Sequence, residues 1–269
     1  MFSKLRSLFS TARPADVAEE FTTFPARIPD GQRVYAIGDI HGRLDLFERL
    51  LAQIAQDDAA RGPADTWLVL LGDLIDRGPA SRGVVDRAIE LRRTTNIRVL
   101  AGNHEEMLLG GLENEDILRH FLRHGGKETL YSYGLTFDEY SSGKIDELRE
   151  RALQLVPQEH LAFMREMEDQ IVIGDYLFVH AGIRPGVSLE EQMVSDLRWI
   201  RREFLDDPQY HGLMVVHGHS ITDEPDQRHN RIGIDTGAYA SGRLTALGLE
   251  GEERWFLSAL STPEEREAA

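Results

Sequence analysis

Six side chains suited to holding metal ions each stand just past the end of a short apolar run: Asp39, His41, Asp73, Asn103, His180 and His219. Together they offer two carboxylates, one amide oxygen and three imidazoles. That is more hard and borderline ligands than one tetrahedral zinc takes, and no thiolate is among them. The set suits two divalent ions that share a bridging carboxylate and leave positions open for water and substrate. Two ions about 3.5–4 Å apart lower the pKa of bound water, so a nucleophile forms without Ser or Cys, and they clamp a phosphate under in-line attack. Phosphoryl transfer has two further needs, and both have candidates nearby. Arg77 can grip phosphate oxygens bidentately, and His104, beside the metal-binding amide, can protonate the leaving oxygen. Asp76 can orient that imidazole and raise its pKa.

Read one at a time, these residues carry little. An Asp-x-His after a strand is more often a capped turn, GNHE contains common turn residues, and an Asp–Arg pair is usually a surface ion pair of at most ~1 kcal/mol. The conjunction carries the weight. Five polar clusters at five strand ends, all matched to one bimetallic reaction, are hard to obtain as independent turns. They are positioned by a repeat of apolar strand, glycine-containing turn and amphipathic helix that starts near residue 33. Positions 34–37, 67–71 and 97–100 read as strands, while Leu44, Phe47, Leu50, Leu51 and Ile54 recur at helical spacing and 84–91 is also helical. Strands alternating with helices imply βαβ units and an α/β protein with a parallel or mixed sheet. In such sheets the carboxyl edge is where sites are built. The stretch 106–168 is mostly helical and reads as an inserted cap, too short of apolar residues to form an independent domain. Strands resume at 171–173, 176–179, 213–216 and 232–234, and 244–249 with 255–260 closes as a hairpin. A catalytic domain is therefore expected over 33–262, between an N-terminal tail, 1–32, and a charged, flexible tail, 263–269.

The 269 residues carry 30 basic and 46 acidic side chains, a formal net charge of −16. That balance argues against a nucleic-acid partner, although bound metal ions can reverse the local field at a phosphate site. With no cysteine, disulfide frameworks, thiolate zinc sites and Cys nucleophiles drop out. No apolar run nears roughly 18 residues, so no membrane-spanning helix is expected and the default location is cytoplasmic. Residues 1–13 hold Lys4, Arg6 and Arg13, with Phe2, Leu5, Leu8 and Phe9 near one helical face. Such an amphipathic helix could lie on an anionic membrane surface; a frayed end, or a helix packed on its own domain, is the preferred reading. Lys127 lacks the upstream glycine of a phosphate-binding loop, since position 121 is Phe, and no GxSxG elbow is present.

The blocks GDIHG (38–42), GDLIDRG (72–78), GNHE (102–105), VHAG (179–182) and GHS (218–220) resemble the signatures of the calcineurin-like metallophosphoesterases. More narrowly they resemble the phosphoprotein phosphatase group in its short bacterial and bacteriophage Ser/Thr phosphatase form. The likeness runs from about 34 to 248 and extends to DLRWIR (196–201) and IDTGA (234–238). It implies a four-layer αββα sandwich, two mixed β-sheets flanked by helices. It also implies that Asp39, His41 and a bridging Asp73 bind one ion, and that Asp73, Asn103, His180 and His219 bind the other. Arg77 and Arg201 would hold the phosphate, with Arg198 and Arg202 as competitors for the place of Arg201, and His104 with Asp76 would form the general-acid pair. His217 reads as a support and not a ligand; His120, His124, His160, His211 and His229 read as surface or core residues. Manganese is expected foremost, with iron, zinc or magnesium compatible with the same donors. Several relatives place an acid where this chain has Gly182, which bears on eukaryotic-type substrate recognition and leaves the ligand unchanged.

The leading expectation is a Ser/Thr phosphoprotein phosphatase, in which metal-activated hydroxide attacks phosphorus and His104 protonates the alkoxide. The alternative is a bis(5'-nucleosyl)-tetraphosphatase of the symmetrical type, or a broad-specificity nucleotide phosphohydrolase. Symmetrical enzymes resemble GDLVARG and GNHD in the blocks where this chain carries Asp76 and Glu105. A nucleoside diphosphate leaves more readily than a serine alkoxide, so an oriented acid favours the phosphomonoester. A silent binding module is disfavoured, because no ligand and no acid is missing. The expected partner is a phosphorylated protein or a small phosphorylated substrate, with the oligomeric state open.

Overall fold

The computed structural model describes residues 25–262, so the basic segment 1–13 and the tail 263–269 lie outside the described residues. In chain order the strands are β1 (Gln32–Ile37), β2 (Asp65–Leu70), β3 (Ile97–Val99), β4 (Gln170–Ile173), β5 (Tyr176–Val179), β6 (Met214–His217), β7 (Asp226–Gln227), β8 (Arg231–Gly233), β9 (Arg243–Glu250) and β10 (Glu253–Leu260). They form two mixed five-stranded sheets, ordered β10-β9-β1-β2-β3 and β4-β5-β6-β8-β7. β1, β2 and β3 run parallel in the first sheet, as do β5, β6 and β8 in the second. The outer partners are antiparallel.

The period of two along each strand builds the layers. Val34 and Ala36 of β1 join Val69, Leu247 and Leu249 of their own sheet, and meet Ile171, Phe178, Val216 and Ile232 of the other. Tyr35 and Ile37 point the opposite way, onto Phe47, Leu50, Val84 and Val85 of helices α1 (Leu44–Arg61) and α2 (Ser81–Thr94). Across the second sheet, Leu177, Val179 and Val215 meet the helical segment that carries Leu197, Ile200 and Phe204. Helices therefore cover both outer faces, as the resemblance implies. The central strands are covered on both sides, which is why they read as continuous apolar runs. β7 has no apolar run to announce it; it is a two-residue polar edge strand.

Residues 103–165 form the helices α3 (Asn103–Gly111), α4 (Glu115–Phe121), α5 (Lys127–Ser132), α6 (Phe137–Ser142), α7 (Ile145–Leu155) and α8 (Gln158–Arg165). Their buried side chains, among them Leu118, Phe121, Leu130, Leu148 and Leu161, belong to the same apolar cluster as Phe47 and Val84. Among the described residues, no helix is long and apolar enough to cross a membrane. Because the core is shared, Leu118→Ala should remove about 3 kcal/mol from the whole chain. Far-UV circular dichroism and the fluorescence of Trp67, Trp199 and Trp255 should then report one shifted transition. An earlier, separate loss of helix would show that 103–165 holds a core of its own.

Candidate metal centre

The parallel strands of both sheets deliver their carboxyl ends to one buried cluster. Asp39 and His41 follow β1; Asp73, Asp76 and Arg77 follow β2; Asn103 and His104 open α3 after β3. His180 follows β5 and His219 follows β6. All of these except Arg77, which is half-buried, are buried. Asp73 is the hub. Its Oδ2 lies 3.6 Å from His41 Nε2 and 3.8 Å from His104 Nε2, and its Oδ1 lies 3.4 Å from His180 Nε2. Two groups of donors share it, His41–Asp73–His104 and Asp73–His180–His219, each with ligand atoms within 4.8 Å of one another.

Hydrogen bonds fix the tautomer and orientation of the imidazoles. His41 Nδ1 donates to the Ile75 carbonyl at 2.8 Å and His180 Nδ1 to that of Leu71 at 2.7 Å. A carbonyl only accepts, so Nε2 of each ring carries the lone pair, and it faces Asp73. His180 Nε2 also lies 3.0 Å from Asn103 Oδ1, two acceptors turned toward each other. His219 Nε2 is buried with no hydrogen-bond partner. Orphaned buried acceptors are costly, and a cation is the partner that such donors satisfy. Burial, the largest influence, holds His41, His180 and His219 below the ordinary imidazole value. Burial thus favours their neutral form, which is the state that binds a metal.

Asp39 lies in the same cluster, against the His219 turn. Both its oxygens accept from the His219 amide, at 3.1 Å each, and it interacts with Asp235. The tight group around His41 and Asp73 includes His104 in its stead. Burial, then the charges of Asp235 and Asp73, push the Asp39 carboxyl well above its usual range. Burial, with the Asp73 charge against a bond from the Gly237 amide, pushes Asp235 up to about 6. Its Oδ2 is buried without a partner. Three carboxyls this deep repel one another, and the donor set fits divalent cations that would offset them. Sequence reasoning quoted Asp235 within IDTGA but assigned it no role. The signal was there, since Asp235 follows β8 as the other site residues follow their strands.

His104 Nδ1 bonds Asp76 Oδ2 at 2.5 Å. Burial alone pulls the His104 imidazole down, but the Asp73 charge and the bond and charge of Asp76 outweigh it and raise it. Asp76 is anchored in turn: its Oδ1 accepts from Thr129 Oγ1 at 2.6 Å, and its amide donates to Thr129 Oγ1 and Ser81 Oγ. Arg77 places Nη1 2.7 Å from His41 Nε2 and Nη2 3.0 Å from His104 Nε2, with its guanidinium 4.7 Å over the Tyr239 ring. Arg201 stands at the exposed rim, Nη1 3.4 Å from the His219 carbonyl. Arg198 is engaged elsewhere, by Asp169 and Glu106. His217 donates from Nδ1 to the Gly218 carbonyl, packs edge-on against Phe204 and joins neither donor group.

The backbone is bent to make this possible. Among the described residues, the non-glycine positions with positive φ are His41, Asp73, Asp76, Arg77 and His219, all at the site. Gly102 and Gly218 let the chain approach the carboxylates: a Cβ on either would stand 2.1 Å from Asp73 Oδ1 or Asp39 Oδ1. Glu105 holds the bend at Asp73. Its two oxygens accept from the amides of Leu74 (2.8 Å), Asp73 (3.0 Å) and Gly102 (2.9 Å). An aspartate there would be one methylene shorter. Glu105→Ala is therefore expected to weaken manganese binding about 10–100-fold. Titration calorimetry on a chain whose circular dichroism is unchanged would measure it, and undiminished affinity would show that the Asp73 turn holds itself.

Comparison with known proteins places this geometry. Residues 32–242 match the calcineurin-like phosphoesterase family. The chain is 29% identical over 233 residues to the asymmetrical bis(5'-nucleosyl)-tetraphosphatase PrpE of Anoxybacillus flavithermus, covering 78% of this chain and 88% of that protein. It is 34% identical over 160 residues to the symmetrical bis(5'-nucleosyl)-tetraphosphatase of Acidovorax ebreus, covering 60% of this chain and 47% of that protein. A crystal structure described as a candidate diadenosine tetraphosphatase superposes with a TM-score of 0.61 and 19% identity, over 89% of this chain and all of that one. The family is one of hydrolases with a dinuclear divalent-metal centre, and two donor groups sharing one carboxylate are what such a centre asks of a protein. With the family match running from β1 to the residue before β9, the chain belongs to the calcineurin-like phosphoesterases.

Proposed function

We propose that this chain hydrolyses bis(5'-nucleosyl) tetraphosphates. The observation that supports this substrate class is the likeness to the asymmetrical tetraphosphatase, which extends along most of both chains. The site supports the reaction. Asp39, His41, Asp73, Asn103, His180 and His219 would hold two divalent ions, manganese foremost, and those ions would polarise the phosphate oxygens and acidify the attacking water. Arg77, held against His41 and His104, grips the equatorial oxygens of the phosphoryl group as charge builds on them. Arg201 approaches the same group from the rim. Water supplies the new bond to phosphorus, the bond to the rest of the phosphate chain breaks, and His104 hands its proton to the departing oxygen. Asp76 keeps that imidazole aimed and raises its affinity for the proton.

One observation favours a second reading, hydrolysis of phosphoserine and phosphothreonine in proteins. The Asp76–His104 bond of 2.5 Å makes a strongly supported acid, which an alkoxide leaving group needs more than a nucleotide does. With manganese present, kcat/KM for diadenosine tetraphosphate should exceed that for a phosphoserine peptide by roughly tenfold or more. The opposite order would assign the chain to protein substrates. His104→Ala should cost about 10²–10⁴ on alkyl phosphates and far less on p-nitrophenyl phosphate, whose leaving group needs no proton. Equal losses on both would remove the acid role.

A further inference from the structure

A cleft of about 580 Å³ opens beside Arg77, and its walls include Arg123, His124 and Lys127, one acid, Glu128, and Tyr140 and Tyr239. In a chain of net charge −16 this is a local concentration of positive groups. Lys127 has Glu128 at 3.4 Å, whereas Arg123 is exposed and makes no ion pair among the described residues. The cations ride on a turn fixed to the site. Over Leu122–Gly126 the helical path breaks at His124 and Gly125. There the Arg77 amide donates to the Gly125 carbonyl at 3.0 Å. Gly125 has φ +108°, and a Cβ on it would stand 2.6 Å from Arg77 Cγ. Arg123 and Lys127, two residues to either side of Gly125, are thus held at a set offset from the guanidinium that reaches His41 and His104. A larger cleft of about 750 Å³ runs along α3, but Glu106, Glu113 and Asp116 line it beside Arg165 and Arg198, and Arg198 is already paired with Glu106 and Asp169.

We propose that the cleft beside Arg77 binds the part of the substrate's phosphate chain that is not being attacked, with Arg123 and Lys127 as its contacts. The ligand class is a linear polyphosphate, and its identification as a nucleotide rests on the reading above. Guanidinium and ammonium groups recognise phosphate oxygens by charge-assisted hydrogen bonds. Tyr140 and Tyr239 give the same cleft aromatic walls for the nucleoside end. The subsite therefore separates long phosphate chains from a monoester, which can reach only Arg77 and the residues behind it.

The test uses the full chain at constant free manganese, with p-nitrophenyl phosphate turnover as the reporter and inorganic tripolyphosphate and orthophosphate as competitors. Tripolyphosphate should inhibit at about tenfold lower concentration than orthophosphate, and added salt should narrow the gap. Arg123→Gln/Lys127→Gln should bring the two inhibition constants to within about threefold; Arg123→Gln alone, at an exposed position, should move them part of the way. A native chain that does not distinguish the two competitors, or a double variant that distinguishes them as well as the native chain, overturns the subsite. If the ratio collapses as expected but the native chain leaves diadenosine tetraphosphate intact, the subsite stands and the nucleotide reading falls. If the dinucleotide is cleaved while the ratio is unmoved, the subsite alone is lost.

Discussion

A carboxylate buried among imidazoles must have its charge balanced and its backbone held, and Asp73 meets both demands. Burial disfavours its charged form, and His41 and His180 turn Nε2 lone pairs toward it, so divalent cations would supply the balance. Its main chain stands at φ +49° and is pinned through its amide by Glu105. Left-handed backbone costs about 1–2 kcal/mol per residue, and five such residues lie together here. Asp and His tolerate this region better than most types, which accounts for His41, Asp73, Asp76 and His219. Arg77 has no such excuse. Its strain is offset by the Gly125 carbonyl, which accepts from its amide, and by the contacts its guanidinium makes with both imidazoles. Strain of this kind persists only where the surroundings over-determine it.

Those surroundings are the two sheets. One donor group draws on the ends of β1, β2 and β3, while the other adds the ends of β5 and β6 from the opposite sheet. The first group lies on one sheet, and the second bridges the two through Asp73. The spacing of the two groups is therefore set by the apolar layer between the sheets, where Val34 and Ala36 meet Phe178, Val216 and Ile232. Interiors packed to crystal-like density transmit small changes of volume. Core packing between the sheets and ligand geometry at their common edge are one mechanical problem.

The sequence was legible where physics leaves a periodic or positional mark. Doubly covered parallel strands read as apolar runs, and polar residues just past them, such as Asp39 and His180, are conspicuous against that background. The rest leaves no such mark. Thr129 and Ser81 support Asp76 through one hydroxyl each, and Thr129 lies 53 residues from it in the chain. Gly125 matters because of what it touches, not because of its neighbours in sequence. The helical stretch 106–168, read as an inserted cap and not an independent domain, feeds many of its side chains into the main core, a sharing that no local pattern announces. Asp39 was legible as a site residue but not in its arrangement, because its contact with Asp235 joins segments almost 200 residues apart.

Substrate choice is where residue-level logic needed the structure most. Asp76 pointed toward poor leaving groups on the premise that its only task is to support an acid. In the fold it has a second task, since its carboxylate and amide tie the Arg77 turn to Thr129 and Ser81. A residue that positions the phosphate-gripping arginine is useful whatever group departs, so its presence does not by itself select the monoester. Electrostatics separates the readings better. A chain of net charge −16 repels any polyanion at long range and can admit one only where its own field is reversed. Cations held by Asp39, Asp73 and the imidazoles would reverse it at the point of attack. Arg77, Arg123 and Lys127 extend the reversal outward along one wall. A phosphopeptide with a single dianionic group needs only the first of these, whereas a four-phosphate chain needs both.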